Sequence, residues 1–540
     1  MWSDIQLLRM DKKGSLQHPF IPCPEDRVSQ GVDCARVQRV PDLHGNLPLS
    51  MSTSNQLSFR CLLLGCVGML VFVQIAQILW EYKTAAAISS PIFRKAALNP
   101  PHDDDLMHLM DLNVRCLADN DDIIPSRAPH MPFTKSADMR DLLTEILRCP
   151  EAEVFLPVGI RGHGYCEDGM AYVKFLDTRA MPMWVYEMDF HIDGKTYKYH
   201  DLCPHTALIL MNHYWDGIET HPSLPSTKKL ILMPNIEMYE LKKKHYDRVD
   251  YVLAKTRDSF RRITEWYSRD GNNPRNTQVL YTQHTSSDPT TLARFKAKTD
   301  PAFGPIAARD FVNLTVFHAN GRSGQKNTPR VIQCWRDRPD FPTLQLYSNE
   351  GSSKDAYNEA KADGAPLANV DFHHGEMVES AAFGKLMAQV SVIVCPSVME
   401  GFGHYINQAR ASGALVLTTD APPMNEFIDE SSGSLIYGAE ARDTGDRVLM
   451  GQGTEFDVPH ESICAAMDVV LGLDPAERAA RAWEGQRRYY EQQHFFKDAM
   501  VKLKQMLRAD LEANPSTRQP IPNDTPPSTP TPTPSKSRKT

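Results

Sequence analysis

The 540-residue chain lacks the charge pattern of a nucleic-acid binder: 59 Lys and Arg stand against 67 Asp and Glu, a net charge of -8. Nucleic acid is therefore not an expected partner. Its eleven cysteines fall at irregular spacings with no Cys-x-x-Cys pair, so neither a zinc-like cluster nor a disulfide framework is expected. No Asp-x-Asp motif stands at a strand end in the second half. Asp103-Asp104-Asp105 and Asp121-Asp122 lie upstream of the expected core and read as solvated charge. No carboxylate pair suited to glycoside hydrolysis can be picked out. Long apolar runs are missing too, with one exception.

The exception is Cys61 to Trp80, CLLLGCVGMLVFVQIAQILW, without a single charge. As a helix it would rise roughly 30 Å, the thickness of the hydrocarbon core, so it is expected to be a single transmembrane span. Residues 1–60 read as a disordered tail, 81–150 as a stem with a helical piece at Ala137 to Leu147, and 513–540, rich in Pro, Thr and Ser, as a second disordered tail. Lys83, Arg94 and Lys95 follow the span and only Arg60 closely precedes it, which leans toward a cytosolic C-terminal part. The layout of tail, span, stem and globular part is instead that of Golgi or ER enzymes facing the lumen, and that orientation is the expectation here. Two sequons occur, Asn523-Asp524-Thr525 in the tail and Asn313-Leu314-Thr315, expected to be buried in a strand.

Between these ends, short apolar runs alternate with helical patterns, the signature of parallel sheets with crossover helices. Strands are expected at Val154 to Val158, Leu230 to Met233, Tyr251 to Ala254 and Val279 to Tyr281. A second series runs through Leu314 to His318, Leu344 to Tyr347, Val370 to Phe372, Val392 to Cys395 and Leu415 to Thr418. This gives two Rossmann-like domains facing a cleft, 151–305 and 306–512, the second ending in a long return helix from Pro475. Ligands of such sheets bind beyond the carboxyl ends of the strands.

Two segments could carry chemistry there. In Cys395 to Thr419 a strand ends, a turn holds Glu400, Gly401, Phe402 and Gly403, and a helix carrying Gln408 follows. Glycines let backbone N–H groups approach an anion, and the helix N-terminus favours a diphosphate. In Gly321-Arg322-Ser-Gly-Gln-Lys326 two cations follow the first strand of the second series. A glycine-rich loop, Gly159 to Gly164, follows the first strand of the chain and includes Arg161, Gly162 and His163.

The Pro-x-x-x-Glu-Gly-Phe-Gly segment, the Ala-x-Gly turn, and then Pro422 and Glu426 resemble the donor site of family-four glycosyltransferases (glycosyl transferases group 1). The resemblance covers roughly residues 152–505. It implies the GT-B fold and transfer with retention from a nucleotide sugar, used as substrate, with no cofactor and no bound metal. Arg322 and Lys326 would neutralise the diphosphate, and Glu400 would contact the sugar. Gly321, Gly162, Gly401, Phe402 and Gly403 would line the donor, His374 would stand at the nucleobase, and one of His200, His205, His213 and His284 would approach the sugar. The family's second glutamate is Gln408 here. It would still reach the ribose, and restoring Glu there is expected to tighten donor binding. The acceptor would be a glycan, lipid or protein. The rival reading, prompted by Gln408, is a nucleotide-sugar-binding pseudoenzyme.

Overall fold

The computed structural model describes residues 103–513 apart from short breaks, the longest at 441–454. The two tails, the apolar run at 61–80, the start of the stem and the sequon at Asn523 lie outside the described residues. Among the described residues no helix is long and apolar enough to cross a membrane.

The first half is built on β1 (Ile124–Pro125), β2 (Ala152–Phe155) and β3 (Arg179–Met181), a side hairpin of β4 (Phe190–Ile192) and β5 (Lys195–Tyr197), then β6 (Ala207–Met211), β7 (Leu230–Met233), β8 (Tyr251–Ala254) and β9 (Gln278–Tyr281). Seven of these form one sheet in the order β1-β3-β2-β6-β7-β8-β9, parallel except for β1. Every residue of β6, β7 and β8 is buried. Such unbroken apolar strands are what a sheet covered on both faces requires. Truncating fully buried Leu210 to Ala costs about 2–5 kcal/mol.

The second half carries β10 (Val316–Gly321), β11 (Leu344–Ser348), β12 (Val370–His374), β13 (Val392–Cys395), β14 (Leu415–Thr419) and β15 (Gly433–Ile436). They form an all-parallel sheet in the order β12-β11-β10-β13-β14-β15. This is the doubly wound 3-2-1-4-5-6 order, whose ligand crevice opens where the winding reverses, between the ends of β10 and β13.

Seven helices connect these sheets to the site: α1 (Asp103–Leu117), α2 (Tyr165–Leu176), α3 (Arg257–Tyr267), α4 (Pro289–Thr299), α5 (Ser380–Gln389), α6 (His404–Ser412) and α7 (Pro475–Ala513). α7 joins the halves. Its Tyr489 hydroxyl donates to Ser286 O at 2.7 Å, and Gln492 Nε2 donates to both His284 O (2.7 Å) and Asn407 Oδ1 (3.0 Å). Further along, Phe496, Met500 and Leu503 enter the core of the first half.

Several expectations are corrected. The stretch expected as stem is part of the fold from Asp103 onward, because Leu109, Leu112 and Cys116 of α1 bury against α2. The exposed Asp104 and Asp105 therefore lie in the first turn of a packed helix. α4, expected within the first half, packs on α5 of the second, and Gly384 gives the room by meeting Pro289 without a Cβ. The strand expected at Leu314 starts at Val316, leaving Asn313 exposed in a bend where its Nδ2 donates to Asp310 Oδ2 at 2.9 Å. Among the described residues three disulfides stand where none was expected: Cys116–Cys166, Cys149–Cys203 and Cys334–Cys464, with Cα separations of 5.6, 5.2 and 5.6 Å. Their partners are 50, 54 and 130 residues apart, so only the folded chain brings them together.

Candidate functional site

The switch point of the second sheet is bounded by two loops. One leaves β10 at Gly321, which takes a positive φ of 55°. The other leaves β13 at Cys395. Val398 N–H donates to Gln325 O at 2.9 Å and ties them together. This tie sets Lys326 against Glu400: the Lys326 ammonium pairs with Glu400 Oε1 and lies 3.9 Å from the centre of the Tyr405 ring. Ser397 Oγ donates to the same Glu400 oxygen at 2.5 Å. Cation, carboxylate and ring thus meet at the point where a doubly wound sheet binds its ligand.

Beside this pair opens a cleft of about 340 Å³, lined among others by Gly321, Lys326, Tyr347, Asn349 and Tyr405. Asn349 N–H donates to Gly321 O at 2.7 Å and closes its floor. Glu376, Met377 and Val378 form its outer wall, and Met377 is 84% exposed. His374 does not line it; its neighbour His373 instead stacks on Tyr347, ring centres 4.3 Å apart. Arg322 is exposed just beyond Gly321.

The turn after Glu400 serves a different role from the one expected for its side chains. Gly403, with φ of 89°, caps α6. Phe402 is buried, with its ring between His284 and Phe427 (5.1 and 5.2 Å) and the Lys255 ammonium 5.6 Å away. It packs between the halves and does not line the cleft. Gly401 lies directly against the Glu237 carboxylate, which occupies the volume a Cβ would need.

From the first half, Asp168 of α2 gathers three neighbours on its Oδ1 oxygen: Lys255 Nζ at 3.0 Å, His284 Nε2 at 2.9 Å and His404 Nε2 at 3.0 Å. Burial by itself would raise Asp168, but Lys255 and the two histidines outweigh it and hold the carboxyl well below its ordinary value. Burial pushes His284 down to about 4. Asp168, His284 and His404 bring ligand atoms within 4.8 Å of one another, a spacing a metal ion could use. Lys255 shares the same oxygen, so a second cation there would meet an ammonium already in place.

Gln408 was expected at a ribose, yet its Nε2 donates to Glu167 Oε1 of the first half at 2.9 Å. Glu167 also accepts from Ser287 N and Oγ (2.8 and 2.7 Å). Glu426 reaches across as well and accepts from Arg257 N and Asp258 N (2.7 and 2.8 Å), capping α3. Of the other candidates, Gly162 is exposed with φ of 96°, while Arg161 is buried and donates to Asp122 O and Leu156 O, holding a loop rather than meeting a ligand. His163 lies outside the described residues. His200 packs on Tyr186 and Tyr199, and His213 on Tyr214. His205 is half-buried in a turn outside the described cluster. Of the four histidines, His284 stands at the junction, against Asp168 and Phe402.

Sequence reasoning missed Glu167, Asp168, Glu237, Lys255 and His404. Asp168 and Glu167 follow the glycine-rich loop directly, Glu237 and Lys255 follow β7 and β8, and His404 follows Gly403. The available signal was their place just past a strand end for Glu237 and Lys255, and in the first turn of a helix for Glu167, Asp168 and His404.

No family model matches this chain, and no curated protein does. Solved structures resemble it in part. A glycosyltransferase from Rickettsia africae is 13% identical with a TM-score of 0.38, over 57% of this chain and 77% of its own. The α,α-trehalose 6-phosphate synthase from Burkholderia multivorans is 10% identical, TM-score 0.41, over 58% and 73%. The Anabaena protein HepE in complex with UDP and glucose is 15% identical, TM-score 0.37, over 56% and 78%. Likeness of this degree carries no weight by itself. The fold and junction define the class: two doubly wound α/β halves closed on one another through a charged junction.

Proposed function

We propose that the chain is a glycosyltransferase taking a nucleotide sugar, with the base and ribose in the cleft beside Tyr347 and the diphosphate at Lys326, Arg322 and the amino end of α6. The observation that carries this reading is the Lys326–Glu400 pair at the switch point, beside the glycine turn that opens α6. In transfer, the acceptor hydroxyl oxygen bonds to the anomeric carbon. The bond from that carbon to the diphosphate breaks, its electron pair goes to the departing phosphate oxygen, and the hydroxyl proton is released to that phosphate. Lys326 and Arg322 stabilise the charge that develops on the leaving group, as donors preorganised for it. Lys326 exchanges Glu400 for phosphate when the donor enters, which frees Glu400 for the sugar. Retention follows from the family resemblance, and an acceptor of glycan, lipid or protein kind would be held by the first half.

Independence from a bound metal is part of the proposal, because cations of the chain itself face the leaving group. A single-pass anchor at 61–80 with the folded part in the lumen of the ER or Golgi is also proposed. The three disulfides support an oxidising compartment. Thermal shift of the purified protein against a panel of nucleotide sugars tests the central reading: the right donor raises the melting temperature by mass action, and a panel without any shift defeats it. One observation favours the rival, a binding protein without turnover: Gln408 is engaged with Glu167 and not directed at open space. Donor binding without product in single-turnover transfer selects that rival.

A further inference from the structure

The junction of the two halves holds a carboxylate with no assigned task. Glu237 follows β7 on a short turn whose geometry is fixed from behind. Asn235 N–H donates to Asn212 Oδ1 at the end of β6, Asn212 also donates to the Tyr165 hydroxyl, and Met238 N–H donates to Asn235 O at 3.0 Å. The turn projects Glu237 across the junction until both carboxylate oxygens rest on Gly401, a contact that any side chain at 401 would block. Among the described residues Oε2 has no hydrogen-bond partner, although it is out of solvent contact. An unpaired buried carboxylate oxygen is costly, and the Glu400 and Asp168 carboxylates nearby add to the cost by repulsion. Lys255 offsets only part of it.

We infer that Glu237 is a sugar-binding residue supplied by the first half, which meets hydroxyl groups of the transferred sugar opposite Glu400. The inference rests on the donor-site reading above. Two carboxylates meet at one glycine turn from opposite halves, and Glu237 Oε2 lacks a donor of the kind a sugar hydroxyl offers. Hydroxyls placed between them satisfy the idle oxygen and relieve the repulsion. Burial pushes Glu237 up to about 7, so near neutral pH it can both accept from and donate to a hydroxyl.

Titration of the full chain with a nucleotide sugar and with the matching nucleoside diphosphate separates the possibilities. Glu237→Ala should weaken the nucleotide sugar by roughly tenfold or more, about the factor for one lost hydrogen bond to a charged group. Glu237→Gln, which keeps the shape and part of the hydrogen-bonding capacity, should lose less. Both variants should bind the nucleoside diphosphate as wild type does, a difference that a merely structural role would not produce. Equal weakening of both ligands in Glu237→Gln, or no weakening of the nucleotide sugar in Glu237→Ala, overturns the role of Glu237 and leaves the donor site standing. A wild-type chain that binds the nucleoside diphosphate but gains nothing from the sugar also overturns it. Failure of the wild type to bind either ligand removes the donor site and this residue's role together.

Discussion

Gln408 Nε2 and Glu167 Oε1 meet at 2.9 Å across the two halves of the molecule. An amide donor suits this position, because Glu167 is an acceptor already taking two hydrogen bonds from Ser287. The bond therefore reverses what a glutamate at 408 should do. Gln408→Glu sets two carboxylates against each other and forfeits a hydrogen bond to a charged group, worth about 1.5–3 kcal/mol. Denaturant unfolding should show a lower midpoint for Gln408→Glu and recovery in the Glu167→Gln, Gln408→Glu double variant. An undisturbed single variant would mean that the contact contributes nothing to closure.

Lys326 is expected to act on phosphate. Lys326→Ala should weaken a nucleoside diphosphate by about 1.5–3 kcal/mol and leave the nucleoside almost unchanged. Arg322→Ala should do the same on a smaller scale, since Arg322 is exposed and its contacts are screened. Calorimetric titration of both ligands checks this. Equal losses on the two would make Lys326 a support of the fold alone.

Acid should weaken the junction through His284. Its folded value of about 4 lies below the ordinary 6.5, so the unfolded chain binds more protons between those values and stability falls as pH drops from 6.5 to 4. The full effect is up to about 3 kcal/mol. Glu237 acts in the opposite sense. Its folded value of about 7 exceeds the ordinary 4.5, so its contribution is present below 4.5 and is lost as pH rises to 7. In pH-dependent unfolding, His284→Gln should flatten the fall toward acid, and Glu237→Gln should flatten the decline toward neutral pH. The same slopes in wild type and both variants would show that other groups set the profile.

On the proposed donor placement, in which Lys326 and Arg322 neutralise the leaving group, transfer should survive EDTA; Lys255 already stands on the Asp168 oxygen. Activity lost in chelator and restored by Mn²⁺ or Mg²⁺ would place a metal in the reaction, with Asp168, His284 and His404 as the first ligands to replace.

Chain made through a eukaryotic secretory pathway should contain the three disulfides and carry a glycan on Asn313, which stands exposed in its bend. Non-reducing peptide mapping, with glycosidase treatment of wild type and Asn313→Gln, reads both. Free thiols at these cysteines and an unmodified Asn313 would argue against the luminal placement.

Periodicity alone located β7, β8 and β13 to the residue, because unbroken runs such as Leu230–Met233 are too short for a helix and too apolar for a loop. The long helix from Pro475 and the Lys326 and Glu400 loops were equally legible, since glycines, cations and strand ends are local signals. β3 was not, because Arg179 looks exposed until Glu153 and Glu145 neutralise it in the interior. β6 was overlooked although Ala207–Met211 carries the same run as its neighbours. What only tertiary structure decided is the meeting of the halves. Burial of α1, the cysteine pairs, Asp168 beneath two histidines, Gln408 on Glu167 and Glu237 on Gly401 all join residues about 50 to 240 positions apart. Sequence periodicity reports which face of one element is buried. It carries no information on which distant carboxylate will fill the space left by a glycine, and that choice is made by how two sheets and one return helix close on each other.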